Sequence, residues 1–93
     1  MNAPILDSKG KLLLDLGDRI ARLRYLADLS QVELALMAKI SKNYLNDLEH
    51  GRRNPSLLVL ARVTGALNVS LATLFEGIEL PEELCFSEMF YKH

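Results

Sequence analysis

The chain of 93 residues predicts one domain and leaves no room for a catalytic domain beside a partner module. Its composition, 49% hydrophobic and 25% charged, excludes a disordered chain, and its longest apolar runs are too short to span a bilayer, so no membrane association is expected. The net charge of −1 is unevenly spread, since residues 1–75 hold 10 Lys or Arg against 7 Asp or Glu, whereas residues 76–93 hold 1 against 5. A mildly basic body of this kind suits a polyanionic partner.

Hydrophobic residues recur with the period of a helix, and no stretch alternates with the period of a strand, which predicts an all-α fold. A first helix is expected over about residues 13–28. Its buried face would comprise Leu16, Ile20, Leu23 and Ala27. Ser30 and Glu33 form the pattern of a capping box, which predicts a second helix from Gln31 to about Ala38. Its buried face would comprise Leu34, Ala35 and Ala38.

Serine caps divide the next part of the chain into further helices. Ser41 predicts the N-cap of a third helix, which ends at Gly51 and buries Leu45 and Leu48. The pair Asn54 and Pro55 predicts the start of a fourth helix. Its buried face is expected to comprise Leu57, Leu60, Ala61, Thr64 and Leu67.

The C-terminal part of the chain is expected to be helical as well. Gly65 lowers the propensity of the fourth helix, which indicates close packing at that position. Ser70 would cap a short fifth helix, anchored by Leu74 and Phe75. Pro81 would begin a sixth.

The second and third helices are separated by only about three residues, so they must cross steeply instead of lying antiparallel. Such a pair can place its first helix across a phosphate backbone and its next helix in a major groove. The outward residues of the third helix would then read bases, and they are Lys42, Asn43, Asn46 and Asp47. Lysine can donate to guanine, asparagine can bond the edge of adenine, and aspartate can accept from cytosine. A solvated helix surface is the alternative interpretation.

Several short motifs keep a fixed spacing without gaps between residues 14 and 75. They are Leu16-Gly17-Asp18-Arg19-Ile20, Leu29-Ser30-Gln31-Val32-Glu33-Leu34-Ala35, Ser41, Tyr44-Leu45, Leu48-Glu49, Gly51, Asn54-Pro55-Ser56, Ala66-Leu67 and Val69-Ser70-Leu71. This set resembles the helix-turn-helix family of phage repressors and Xre-type bacterial regulators. Within that family it is similar to the restriction-modification controller proteins, which carry a tyrosine early in the recognition helix, as Tyr44 does here.

The resemblance implies an all-α, compact five-helix, lambda-repressor-like domain over residues 13–77. An N-terminal extension, residues 1–12, would precede it, and a helical C-terminal extension, residues 78–93, would follow. Base contacts are implied for Lys42, Asn43 and Asn46. Phosphate contacts are implied for Gln31, Tyr44, Arg52 and Arg53, of which Tyr44 could also reach nearby bases. A structural pair that ties the first helix to the end of the recognition helix is implied for Arg24 and Glu49.

Three positions depart from the family pattern. Lys39 stands in the turn where the family usually has a glycine with positive φ, and Asp28 replaces another frequent glycine. Asp47 places a negative charge on the reading face, where it would select cytosine or oppose binding to other sites. Tyr44 could instead pack against the core, and Arg52 with its neighbouring arginine could form a solvated loop pair.

Other chemistry finds little support in the residues. Cys85 is the single cysteine, which excludes an internal disulfide or a cysteine-rich zinc module and fits the reducing cytoplasm. His50 and His93 have no partners at ligand spacing, so we expect no metal and no cofactor. Because the chain has no phosphate-binding loop, dinucleotide fingerprint or nucleophile elbow, enzymatic activity is not expected.

A single reading helix contacts too few base pairs to select one locus, which favours a homodimer on a pseudo-palindromic operator. The dimer interface is expected in the apolar C-terminal extension, with contributions from the fourth and fifth helices, at Leu80, Leu84, Phe86, Met89 and Phe90. Alternatively, the extension covers the core of its own domain. The sequence thus predicts a sequence-specific transcription regulator that binds double-stranded DNA. The alternative is an antitoxin-type or other interaction module whose tail binds a second protein.

Overall fold

The structure is a computed structural model that describes residues 7–81, and in this range it is all-α, as predicted. Within these residues it has five helices, namely α1 (Ser8–Leu26), α2 (Gln31–Ala38), α3 (Lys42–Glu49), α4 (Leu57–Leu67) and α5 (Leu71–Phe75). None of the five is both long and apolar enough to cross a membrane. Of the C-terminal extension predicted to be helical, residues 78–93, only residues 78–81 are described, and these four are not helical. The rest of the extension, and with it the sixth helix expected from Pro81, lies outside the described residues.

Each of these helices begins at a side-chain oxygen that accepts a hydrogen bond from the backbone N–H three residues later. The bonds are 2.7–3.2 Å long, and the caps are Asp7, Ser30, Ser41, Ser56 and Ser70. Glu33 completes the predicted capping box, because its Oε1 accepts from the Ser30 N–H at 2.8 Å. Local capping therefore explains where every one of these helices starts.

The predicted starts of α1 and α4 are wrong. α1 begins at Ser8 instead of near residue 13, because Asp7 caps the chain earlier than expected. It also ends at Leu26, ahead of Asp28, whose φ of 58° is left-handed. α4 begins after Ser56 instead of at Asn54 and Pro55, since the Ser56 hydroxyl accepts the first-turn N–H.

The core lies where the five helices meet, with α2 packed mainly against α4, and α1 against α3. Its buried apolar residues are Leu16, Ile20, Leu34, Ala35, Ala38, Leu45, Leu48, Leu60, Val63, Leu67 and Leu74. The predicted buried faces of α2 and α3 are confirmed. In α1 the prediction holds at Leu16 and Ile20, whereas Leu23 is half-buried and Ala27, just past the helix end, is exposed.

The buried face of α4 differs from the prediction. Val63 is fully buried and Ala61 is exposed, because the helix presents Leu60, Val63, Thr64 and Leu67 to the core, three and four residues apart. Leu57, in the first turn, is 69% exposed. Among the described residues, a Cβ added at Gly65 would meet nothing within 4 Å, so the close packing predicted there is not seen in this part of the chain.

α5 is tied to α1 by one apolar and one polar contact region. Leu74 is fully buried, as predicted, whereas Phe75, the other expected anchor, is 41% exposed because it ends the short helix. The guanidinium of Arg19 donates two hydrogen bonds to the Thr73 carbonyl, at 3.0 and 3.3 Å. This interaction holds the C-terminal end of the domain against α1.

Gly17 sets how closely α1 approaches α3. A Cβ at this position would overlap the carbonyl oxygen of Leu48 and lie within 2.6 Å of that of Glu49. Both carbonyls belong to the last turn of α3. The absence of a side chain therefore allows the backbone of α3 to rest directly on α1.

The turn between α2 and α3 contains the left-handed residue expected at Lys39. Its φ and ψ are 59° and 42°, and its N–H bonds the last carbonyls of α2. Ile40 donates to the Ala35 carbonyl at 3.0 Å, which completes a C-terminal capping turn. Asp28 takes the same conformation before α2, with φ of 58°. Both residues thus have a positive φ, which glycine adopts without steric cost.

Candidate nucleic-acid interface

α3 has one buried side and one polar side. Ser41 caps it, and Leu45, Leu48 and Glu49 face the core. On the other side, Lys42 and Asn43 are exposed, whereas Tyr44, Asn46 and Asp47 are half-buried. The first turn of α3 therefore presents a cation and an amide to solvent, directly after the exposed Lys39 of the turn.

Arg24 and Glu49 form a buried ion pair between α1 and the end of α3. The Arg24 Nε–Glu49 Oε2 distance is 2.7 Å, and Arg24 Nη2 donates to Glu49 Oε1 at 3.0 Å, with both side chains at most 7% exposed. Arg24 Nη1 also donates to the Leu29 carbonyl, at 3.0 Å. The hydrogen bond to Glu49 raises the pKa of Arg24 above the ordinary value of arginine. One side chain thus joins α1, the α1–α2 connection and α3 in a fixed arrangement.

Gln31 extends this network to the polar side of α3. Its Nε2 donates to Glu49 Oε1 at 3.0 Å and to Asn46 Oδ1 at 3.2 Å. Gln31 is half-buried, at the first position of α2, where the backbone N–H groups of the helix N-terminus lack intrahelical partners. The residue predicted to bond phosphate therefore also links α2 to two residues of α3.

Asp47 lies between the two arginines that follow α3. Its Oδ1 is 3.2 Å from Arg52 Nε and its Oδ2 is 3.4 Å from Arg53 Nε. The Arg52 N–H also donates to the Asp47 carbonyl, at 2.8 Å, beside the left-handed Gly51 with φ of 74°. The structure thus brings the expected base reader Asp47 together with the expected phosphate-contacting arginines.

Tyr44 lies beneath one of these arginines. The guanidinium carbon of Arg53 is 5.1 Å from the centre of the Tyr44 ring, a distance typical of a cation–π contact. Tyr44 also packs against the core while remaining partly exposed. The position of Tyr44 is therefore compatible with both predicted roles, packing against the core and contact with DNA.

Several of these interactions were missed at the sequence level. They are the hydrogen bonds from Gln31 to Asn46 and Glu49, the bridging position of Asp47, and the stacking of Arg53 on Tyr44. The sequence does carry a signal for the bridging position of Asp47. Arg52 follows it by five residues, across a glycine at which the chain reverses direction. The Gln31 hydrogen bonds had no comparable signal, because they depend on how α2 crosses α3.

The proposed dimerisation residues are described only in part. Leu80 is 61% exposed, whereas Leu84, Phe86, Met89 and Phe90 lie outside the described residues. Large apolar side chains are also exposed on α4 and α5, at Leu57, Leu58, Leu71 and Phe75.

A family model described as Helix-turn-helix matches residues 19–74, more than half of the chain. The immunity repressor protein of Bacillus phage phi105 is 43% identical over 58 residues, which are 62% of this chain and 40% of the repressor. The chain therefore spans less than half of the length of that relative.

Solved structures with a similar fold include those of two restriction-modification controller proteins. The restriction-modification controller protein C.AhdI from Aeromonas hydrophila matches with a TM-score of 0.67 and 33% identity, over 68% of this chain and 96% of that protein. The controller protein C.Esp1396I, whose tetramer was crystallised with its natural 35-base-pair operator, matches with a TM-score of 0.66 and 25% identity. That match covers 72% of this chain and 88% of the other.

Proposed function

Because the chain belongs to the helix-turn-helix family of DNA-binding transcription regulators, which are not enzymes, we propose that it binds a specific operator through the outward face of α3. The observation that carries this proposal is the polarity of α3. Leu45 and Leu48 are fully buried, and the Arg24–Glu49 pair fixes the end of the helix. Lys42 and Asn43 are thereby left exposed in the first turn, where side chains of a recognition helix meet base edges.

Phosphate contacts would come from the loop after α3 and from the N-terminus of α2. Arg52 and Arg53 are about half-exposed and held in place by Asp47, which orders two flexible cations without neutralising both. The backbone N–H groups at the N-terminus of α2, which begins at Gln31, would face a second phosphate, because unpaired N–H groups and the helix dipole favour an anion. Such contacts orient the recognition helix and supply affinity that does not depend on sequence.

The protein would act as a homodimer on a pseudo-palindromic operator, since one recognition helix reads too few base pairs for specific binding. The C-terminal extension, residues 78–93, is the proposed dimerisation element, together with the exposed apolar residues of α4 and α5. The tetramer of C.Esp1396I on its operator supports assembly of this kind in a protein of the same fold. The similarity to a phage immunity repressor supports repression as the outcome of binding.

The DNA-binding proposal is tested by selecting bound sequences from a randomised duplex and then measuring affinity at physiological salt. We expect one enriched, pseudo-palindromic motif that the chain prefers to random duplex by about 10³-fold or more. Lys42→Ala and Asn43→Ala should reduce this preference, whereas Lys9→Ala, an exposed lysine of α1, should not. Binding without sequence preference would contradict the proposal.

The dimer is tested by sedimentation of the full chain. Phe75→Glu or Leu80→Glu should shift the protein from dimer to monomer, because a charge on an apolar interface costs desolvation energy. Leu36→Glu is the matched control, since Leu36 is an exposed leucine of α2, outside the proposed interface. A wild-type chain that remains monomeric on its selected operator would contradict this part of the proposal.

A further inference from the structure

We propose that Gln31 is a positioning residue that fixes the orientation of the Asn46 amide, so that Asn46 acts as a hydrogen-bond donor alone and selects guanine over adenine. This inference rests on the proposed entry of α3 into the major groove. The inference follows from the sequence of donors and acceptors in the Arg24–Glu49–Gln31–Asn46 network. Each of the two side-chain amides can satisfy this sequence in only one orientation.

The order starts at the buried pair. A guanidinium only donates and a carboxylate only accepts, so Glu49 beside Arg24 can accept hydrogen bonds only. Gln31 contacts Glu49 Oε1 at 3.0 Å and must therefore present its amino group, because its carbonyl oxygen there would face another acceptor. The orientation of the Gln31 amide is thus set by the ion pair.

The second N–H of the Gln31 amino group is directed at Asn46, 3.2 Å from Oδ1. Asn46 must present its carbonyl oxygen to this donor, since its own amino group would face another donor. The Asn46 oxygen is consequently held toward α2, and the amino group occupies the other arm of the amide. Asn46 is half-exposed on α3, between the buried face and the exposed first turn.

This orientation changes which base fits. Reading adenine with both arms of asparagine requires the oxygen to accept from N6 while the amino group donates to N7. Because Gln31 already holds Asn46 Oδ1, this oxygen is turned away from the base and two-point binding of adenine is disfavoured. Guanine presents O6 and N7, which both accept, and therefore matches an amino group that only donates.

The test first identifies the base pair at which Asn46→Ala loses its sequence preference. It then measures competition between operator duplexes that differ only at this base pair. Wild type should prefer guanine to adenine at this pair by about tenfold, the lower part of the range for a good base contact. Gln31→Met, which keeps the length of the side chain but cannot donate, should reduce this ratio to about one or invert it. Asn46→Asp, which has no donor, should favour cytosine.

Asn43→Ala is the matched control, because Asn43 is an exposed asparagine of the same helix. It should alter preference at a different base pair and leave the guanine-to-adenine ratio unchanged. The proposal is overturned if wild type prefers adenine at the Asn46-dependent pair. It is also overturned if Gln31→Met weakens all duplexes equally, which is the result expected of a phosphate contact alone.

A measurement on the free full chain separates this proposal from the function on which it rests. The two side-chain amide protons of Gln31 are both hydrogen-bonded within the protein. They should therefore exchange with water at least about fivefold more slowly than those of Asn43. Equal exchange would overturn the network even if DNA binding is sequence-specific. Slow exchange in a chain that binds all duplexes alike would overturn the base selection together with the proposed function.

Discussion

Glu49 accepts two hydrogen bonds from Arg24, at 2.7 and 3.0 Å, and thereby joins the last turn of α3 to α1. Both charges are almost fully withdrawn from solvent. Burial of an ion pair makes its net contribution to stability small, but removal of one partner leaves an uncompensated charge. The main consequence of the pair is therefore a fixed position for α3.

Removing one member of this pair should destabilise the domain strongly. We expect Glu49→Ala to lower the free energy of unfolding by about 3–5 kcal/mol, because Arg24 would remain buried without its partner. Lys11→Ala is the control, since it breaks an exposed, solvent-screened Lys11–Asp15 pair and should leave the free energy of unfolding nearly unchanged. Urea unfolding of the purified proteins measures both, and equal losses would contradict the importance of burial.

Two glycines should respond in opposite ways to substitution by alanine. Gly17→Ala should destabilise the domain by several kcal/mol, roughly the cost of overpacking or more, because the added Cβ would overlap carbonyl oxygens of α3. Gly65→Ala should stabilise it by about 0.5–1 kcal/mol, since the position is exposed and helical and has no neighbour within 4 Å in residues 7–81. Thermal unfolding measures both changes, and a neutral Gly17→Ala would contradict the close approach of α1 and α3.

The turn before α3 offers a test of backbone strain. Lys39→Gly should stabilise the domain by about 1 kcal/mol, because Lys39 holds a left-handed φ of 59° that glycine adopts without steric cost. Lys39→Ala keeps the Cβ and should bring no such gain. If both variants had the same unfolding midpoint, the left-handed turn would not be a source of strain.

The capping box at α2 should make stability depend on pH. The hydrogen bond from the Ser30 N–H lowers the pKa of the Glu33 carboxyl, so the folded state favours the ionised form. This contribution is complete above the ordinary pKa of glutamate and is lost as the pH falls through the lowered value. Glu33→Gln cannot titrate, so its melting temperature should fall less than that of wild type on acidification. Identical pH profiles would contradict this assignment.

Much of the fold follows from local signals. Ser30, Ser41 and Ser70 each cap a helix where the sequence predicts it, because capping depends only on the next three residues. The start of α4 is predicted two residues too early, at Asn54, although Ser56 is an equally suitable N-cap residue by type. The predicted buried face of α4 is wrong at Leu57, because a leucine at the first position of a helix can be exposed while its residue type suggests burial.

The candidate site was only partly predictable. The outward position of Lys42 and Asn43 follows from the helical period, given that Leu45 faces the core. The hydrogen bond between Gln31 and Asn46 depends on the crossing of α2 and α3 and on side-chain rotamers, neither of which is evident from spacing. The sequence pattern predicts Asp47 as a single charge on the reading face, whereas in the structure it is paired with two arginines beyond the helix end.

The arginines should supply affinity without specificity. Arg52→Ala should weaken binding to operator and random duplex by the same factor and reduce the slope of log affinity against log salt by about 0.9 for each phosphate that the guanidinium neutralises. Arg22→Ala is the control, because Arg22 lines a surface depression with Asp18 and Glu76 and not with residues of α3. A weakening confined to the operator would instead indicate that Arg52 reads bases.

The central claim is that the outward face of α3 meets base edges, and intermolecular NOEs on the isotope-labelled full chain bound to its selected operator test it most directly. The claim predicts NOEs from the Lys42, Asn43 and Asn46 side chains to major-groove protons such as cytosine H5 and thymine methyl groups. NOEs from these residues to sugar protons alone, or none from α3 while the protein is bound, would contradict it.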